Sequence, residues 1–353
     1  MAGCAETVSK RNLTDSFSSP EGIAMSIKNT LKHFLFKLPD PIIDGIYSVY
    51  NHVFYPELRE KLMCYGENHP DKTFYVIRPR TDCVEGLMSL FFNVVKHLEY
   101  ASSKGWIPVV DFENYKTQYT DLTQDIKNAW EYYFEQTSAY SLEDVYKSRN
   151  VRLSGLNATL KRSPALQQKY DEKSMDAVRR LLKEYIRFNS AVNNLVDEEL
   201  KRLKPDESIG LYLRGTDYVK LRPSGHPVQP SVEQAVAVVD KMMERHLVKT
   251  IFLVTEDGEI YDAVQKYYGD KLCIVSYDSF ITGYQKQGFI SHNPEQMKQL
   301  AATPYQRGLN YLCKLIVLSK CRYFVGGNTS GAWAACAFSD GFEEQYVFDL
   351  GKY

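Results

Sequence analysis

The sequence predicts an α/β protein built from two βα units that face each other across a cleft. Three observations lead there. Short apolar runs rich in β-branched and aromatic residues alternate with helical stripes in both halves. Polar, charged or glycine-rich residues follow the carboxyl ends of those runs. The length, 353 residues, exceeds what one core usually organises. The composition, 44% hydrophobic and 25% charged, is that of a folded globular chain and argues against disorder. A net charge of -1 lacks the basic excess that nucleic-acid binding leaves, so no nucleic-acid partner is expected. Any anion site must be local. The 26 tyrosines suit sugar contact and ordinary core edges equally.

Residues 1–22 are polar and read as a mobile N-terminal arm. A first domain is expected over 23–203 and a second over 204–353. The first opens with "SIKNTLKHFLFKLPDP", which puts Ile27, Leu31, Phe34, Leu35 and Leu38 on one face and lysines on the other. Such a helix over 26–38 either touches a membrane surface or docks on the body of the protein. "TFYVIRP" then reads as a strand, and Leu87, Phe91, Val94, Val95 and Leu98 form a buried helical stripe. "WIPVVDF" is the next strand, which completes a βαβ unit and implies parallel pairing. Residues 115–170 show no clear pattern. One long helix is expected from Ser174 to Leu203, and "KRLKPDES" marks a hinge.

The second half alternates again. Strands are expected at "IGLYLR", "KTIFLVTE", "KLCIVSY", "RYFVGG" and "QYVFDL". Helices lie between them, notably "SVEQAVAVVDKMMERH" and "RGLNYLCKLIVLSK". Ligands in such sheets bind beyond the carboxyl ends of the strands.

The polar residues collect at those ends. "LYLRGTDY" brings Arg214, Gly215, Thr216 and Asp217 to the mouth of a core strand, and "VTEDGE" brings Glu256 and Asp257 to the next. "VGGNTSGAWAA" sets Asn328, Thr329, Ser330 and Gly331 at a strand-to-helix turn, where free N–H groups and hydroxyls suit an anion. An arginine fork across from a helix N-terminus suits a pyrophosphate. The alternative is that Arg214 and Asp217 pair with each other and the glycine-rich segment is only a turn. Both motifs on one sheet edge favour phosphate.

The series also carries a resemblance. "LYLRGTDYVKLRPSGHPVQPSVEQAV", "TIFLVTEDGEIYDAVQKYY" and "RGLNYLCKLIVLSKCRYFVGGNTSGAWAACAF" resemble, in order and spacing, the three donor-site segments of the GDP-fucose-dependent fucosyltransferases, above all their α1,6 and protein O-fucosyl branches. "CVEGLMSLFFNVVKHLEYASSKGWIPVVD" is similar, more loosely, to the family's first βα loop. The resemblance implies a GT-B fold of two Rossmann-like domains, the first on the acceptor side and the second binding the donor. It further implies inverting fucose transfer from GDP-fucose to a glycan or lipid-linked glycan, without a metal or other cofactor. By that resemblance Arg214 meets the β-phosphate and the departing GDP, Thr329 and Ser330 touch the diphosphate, and Glu256 and Asp257 lie near the nucleoside. Gly86 faces the diphosphate from the first domain. Tyr212 stands where the family has a histidine, and Gly215 where it has a second arginine.

The chemistry fits the residues on its own terms. A departing nucleoside diphosphate gains negative charge that a metal or fixed cations and N–H dipoles must meet. The chain has no Asp-x-Asp, so Arg214 and the turn from Asn328 to Gly331 are expected to serve, with no metal site. Asp217, Glu256 and Glu85 are candidate bases. A dehydrogenase fingerprint, a P-loop, a nucleophile elbow and HExxH are all missing from the sequence. His226 before Pro227 reads as a loop residue. A transferase using another nucleotide sugar and a non-catalytic nucleotide- or glycan-binding member of the fold are the competing readings. Seven cysteines without CxxC spacing, and an N-terminus without a signal-peptide layout, place the chain in the cytoplasm by expectation, in contact with a membrane surface if 26–38 binds one. A sequon at Asn328 would put a glycan on the donor loop, which favours the same compartment.

Overall fold

The structure is a computed structural model that describes residues 59–79, 85–155, 172–284 and 288–353. The expected arm over 1–22 and the basic helix over 26–38 lie outside the described residues, which belong to one compact unit, Asn51–Tyr353.

The first sheet comprises β1 (Lys61–Met63), β2 (Phe74–Ile77), β3 (Ile107–Val110) and β4 (Val151–Leu153), in the order β1-β4-β2-β3. β2 pairs in parallel with β3 and β4, while β1 is antiparallel on the edge. Helix α1 (Leu87–Ser103) makes the crossover from β2 to β3, and a single turn, α2 (Leu142–Val145), precedes β4. The sequence showed no pattern at β1 or β4 because three residues are too few for a period to register. All five residues of the expected α1 stripe are buried.

The long helix expected from Ser174 is two helices, α3 (Glu172–Tyr185) and α4 (Ser190–Leu203). The break has a local cause. Phe188 leaves the helix to bridge Phe134 in antiparallel fashion, and Asn189 caps α4 by accepting from the Val192 N–H at 3.1 Å. The apolar spacing continues across the break, so periodicity alone runs through it.

The second sheet holds β5 (Ser208–Tyr212), β6 (Thr250–Val254), β7 (Leu272–Cys273), β8 (Tyr323–Gly327) and β9 (Glu344–Phe348). Every pair is parallel, in the order β7-β6-β5-β8-β9. The connecting helices are α5 (Thr216–Leu221), α6 (Val232–His246), α7 (Gly258–Tyr268), α8 (Pro294–Leu300), α9 (Pro304–Leu318) and α10 (Ser330–Phe338). The strands are shorter than the apolar runs that predict them: Arg214 lies two residues beyond β5, and β7 keeps two residues of "KLCIVSY".

Between the sheets, Lys204 adopts a left-handed conformation (φ 44°) and Pro205–Glu207 make one 3-10 turn into β5. The helices on either side share a core. Phe338 of α10 meets Phe91 of α1 and Phe188, both at 5.4 Å between ring centroids. Two α/β sheets whose strand ends open toward one cavity form the fold class the sequence predicts, the GT-B arrangement.

Candidate functional site

A cavity of about 510 Å³ opens at the carboxyl ends of the strands. The loops after β5, β6 and β8, the loop before α1, Gln118 and Tyr119 beyond β3, and one face of α9 line it. Parallel pairing accounts for the convergence, because every parallel strand of a sheet ends on the same side.

Arg214 reaches this cavity from just beyond β5, one fifth exposed. One nitrogen lies 2.6 Å from Glu256 Oε1 and the other donates to Asp217 Oδ1 at 2.9 Å. Its guanidinium also sits 5.1 Å from the centre of the Tyr218 ring. Burial opposes the charge, but Glu256 and Asp217 outweigh it and hold the pKa well above the ordinary value. The pairing weighed from the sequence is present, with a second carboxylate added.

The turn that carries Arg214 is under strain. Thr216 has φ 45°, unusual for a β-branched residue. Two bonds hold it: its N–H donates to Asp257 Oδ2 at 2.7 Å and its hydroxyl to Glu256 Oε1 at 2.8 Å. A Cβ on Gly215 would collide with the Asp257 carboxylate, so only glycine allows this approach. Strain of this kind costs about 1–3 kcal/mol and gathers at functional sites.

The candidate carboxylates therefore differ in what they can do. Asp217, 3% exposed, accepts from Arg214 and from the Ile290 N–H at 3.3 Å. Glu256 Oε1 takes Arg214, the Gly215 N–H at 3.0 Å and Thr216. Both line the cavity, yet both are engaged in shaping the turn. Asp257 does not line it; its Oδ1 caps α7 through the Glu259 N–H at 2.8 Å and its Oδ2 holds Thr216. Glu85 lines the opposite lip beside Gly86, which is exposed at the N-cap of α1.

The glycine-rich turn lies where the sequence puts it, between β8 and α10. Thr329 is the N-cap residue of α10, 8% exposed, and its Oγ1 is buried without a well-formed hydrogen bond. Ser330 is exposed, and both residues line the cavity with Gly331. A Cβ at Gly331 would strike the hydroxyls of Tyr212 and Tyr311, which bond each other at 3.2 Å. Asn328 stays out of the cavity; its Oδ1 accepts from the Trp333 indole at 2.7 Å. At 9% exposure it is a poor glycan acceptor despite its sequon.

The sequence reading missed the face of α9. Arg307, Asn310, Tyr311 and Lys314 line the cavity at spacings i, i+3, i+4 and i+7 on a helix buried over most of its length. Lys314, 7% exposed, pairs with Asp278 at 2.7 Å, and burial raises the Asp278 pKa despite that lysine. The signal was a polar stripe interrupting an apolar helix. His226, read as a loop residue, is on a loop and also lines the cavity, edge-on to Tyr218 at 5.2 Å. Among the described residues no group of three or more His, Cys, Asp or Glu side chains converges as metal ligands would. No helix among them is long and apolar enough to cross a membrane.

No protein-family model matches the chain, and no curated protein matches it. Among solved structures it is similar to the fucosyltransferase NodZ from Bradyrhizobium, at 15% identity over 75% of this chain and 92% of that one, with a TM-score of 0.40. It is similar to a mutant of Arabidopsis thaliana FUT1 in complex with GDP, at 11% identity over 78% and 70% of the two chains, with a TM-score of 0.42. A complex of POFUT1 with GDP-fucose gives 12% identity over 80% and 75%, with a TM-score of 0.34. At such identities and scores the likeness places no side chain and assigns no activity.

Proposed function

We propose that the chain is a glycosyltransferase whose donor is a nucleoside diphosphate sugar, GDP-fucose by the motif series in its sequence, and whose acceptor is a glycan or lipid-linked glycan. One observation carries the reading. The N-terminus of α10, with the buried Thr329 hydroxyl, lines the same cavity as the Arg214 fork. Free N–H groups, a buried hydroxyl and the remaining guanidinium N–H groups suit the oxygens of a diphosphate.

In the proposed step the bond between the anomeric carbon and the β-phosphate oxygen breaks, and its electron pair leaves with the diphosphate. An acceptor hydroxyl oxygen forms the new bond to that carbon, and its proton passes to a base. Glu85, which lines the lip facing the Arg214 clasp and accepts from the Ser89 hydroxyl at 3.4 Å, is assigned as the base. The N–H groups of Arg214 and α10 would stabilise the departing charge with no metal. Cytoplasmic residence, with surface contact through residues 26–38, belongs to the same proposal and rests on the sequence alone.

A second reading, a nucleotide- or glycan-binding protein without transfer, draws on the engagement of both Asp217 and Glu256. Incubation with GDP-fucose, GDP-mannose and UDP-sugars in EDTA separates the two. Release of nucleoside diphosphate, even slowly to water, supports the enzyme. Binding without any release supports the second reading.

A further inference from the structure

Three arginine and lysine side chains line the cavity: Arg214, Arg307 and Lys314. Two of them are already compensated. Arg214 faces two carboxylates, Glu256 and Asp217, so that group carries a net negative charge when all three are ionised. Lys314 is matched by Asp278. A diphosphate meeting these groups alone would find N–H donors but no surplus positive charge.

Arg307 differs. It stands in the first turns of α9 and has no carboxylate within 4.0 Å among the described residues. One terminal nitrogen donates to the Gln118 carbonyl at 3.0 Å, and the guanidinium lies 5.4 Å from the Tyr119 ring centre. Its Nε–H is buried with no acceptor. A buried donor without a partner costs free energy, so the Arg307 side chain is not fully satisfied by its protein contacts. Thr329, whose buried Oγ1 lacks a well-formed hydrogen bond, lines the same cavity at the N-terminus of α10.

We propose that Arg307 is the anion-binding residue that supplies the uncompensated charge for the diphosphate, while Arg214 supplies directed N–H groups from a clasp already neutralised by Glu256 and Asp217. The inference rests on the nucleoside diphosphate reading above. It assigns the attraction to a residue on the helix before β8, not on a loop that follows a strand. The ligand class is a phosphate or diphosphate anion, and long-range attraction to it is screened by salt.

The test titrates the full chain with GDP and with inorganic pyrophosphate, in EDTA and at several salt concentrations, using calorimetry. The wild type is compared with Arg307→Gln, which keeps a donor for the Gln118 carbonyl but loses the charge, and with Arg307→Lys, which keeps the charge. The proposal expects Arg307→Gln to weaken both ligands on the order of tenfold or more and to flatten the salt dependence. Arg307→Lys should retain most of the affinity and the wild-type salt slope. Wild-type affinity in Arg307→Gln overturns the proposal. Equal loss in both variants, with a lowered melting temperature, also overturns it, because Arg307 is then a structural residue. If the wild type binds neither ligand, the nucleoside diphosphate reading itself fails and takes this inference with it.

Discussion

Arg214 and Glu256, 42 residues apart in the chain, stand 2.6 Å from each other where β5 and β6 end side by side. The parallel register of those strands makes the pair, and the pair shapes the site. Glu256 Oε1 also holds Gly215 and Thr216, so one carboxylate fixes both the arginine and the strained turn beside it.

Replacing Arg214 with alanine should lower the transfer rate on the order of a hundredfold or more. It also leaves Glu256 and Asp217 buried without their cation, a change that can cost about 3–5 kcal/mol. Arg214→Lys separates the two effects, since it keeps a charge for the carboxylates but loses the fork. Its melting temperature should lie near wild type while its rate falls. Near-wild-type turnover in a folded Arg214→Ala protein would remove this residue from the mechanism.

Thr329→Val exchanges a buried hydroxyl that lacks a well-formed hydrogen bond for a methyl group of similar size. The ligand-free protein should be equally stable or firmer by about 1 kcal/mol. Diphosphate affinity should fall about tenfold. Ser330→Ala should weaken GDP binding without altering the fold, because Ser330 is exposed. Unchanged GDP affinity in both variants would make the glycine-rich segment only a turn.

Glu85→Gln tests the assigned base. Donor affinity should hold within about twofold while transfer to an acceptor falls by about a hundredfold or more. Loss of donor binding in step with the rate would move Glu85 from proton acceptance to donor positioning.

Acid should unfold the protein partly through His97. It is 1% exposed, its Nδ1 shares a hydrogen bond with the Tyr75 hydroxyl at 2.8 Å, and burial with the charges of Lys96 and Arg78 lowers its pKa to about 3. The unfolded chain, with an ordinary value of 6.5, takes up the proton first. Its contribution is full above that value and is lost as the pH falls toward about 3. By pH 5 the loss is about 2 kcal/mol. His97→Gln, whose amide can still bond the Tyr75 hydroxyl, should show a flatter denaturation midpoint between pH 7 and pH 5. Identical pH profiles for the two proteins would contradict this assignment.

The sequence revealed the parts of this molecule that repeat a local rule. β2 and β3 were legible as short apolar runs and α1 as an apolar stripe at helical spacing, and the β8–α10 turn because glycine and hydroxyl residues cluster there. Arg214 was legible because a charge follows a buried strand. The break at Phe188 was hidden, since its cause is a bridge to Phe134, 54 residues away in sequence. Asp257 drew notice as an acidic neighbour of Glu256, yet its two oxygens serve Glu259 and Thr216, partners that only the folded register supplies. Arg307 escaped because it lies on the helix before a strand, where the rule about carboxyl ends does not look.

The central claim is that this cavity holds the diphosphate of a nucleotide sugar without a metal. The most direct measurement is a thermal-shift panel with GDP, UDP, ADP, GDP-fucose and GDP-mannose, each in EDTA. A ligand that binds only the folded chain at a hundred times its dissociation constant stabilises it by about 2.7 kcal/mol, a clear rise in melting temperature. The account predicts selective stabilisation by GDP and GDP-fucose. No shift with any of the five at millimolar concentration would contradict it.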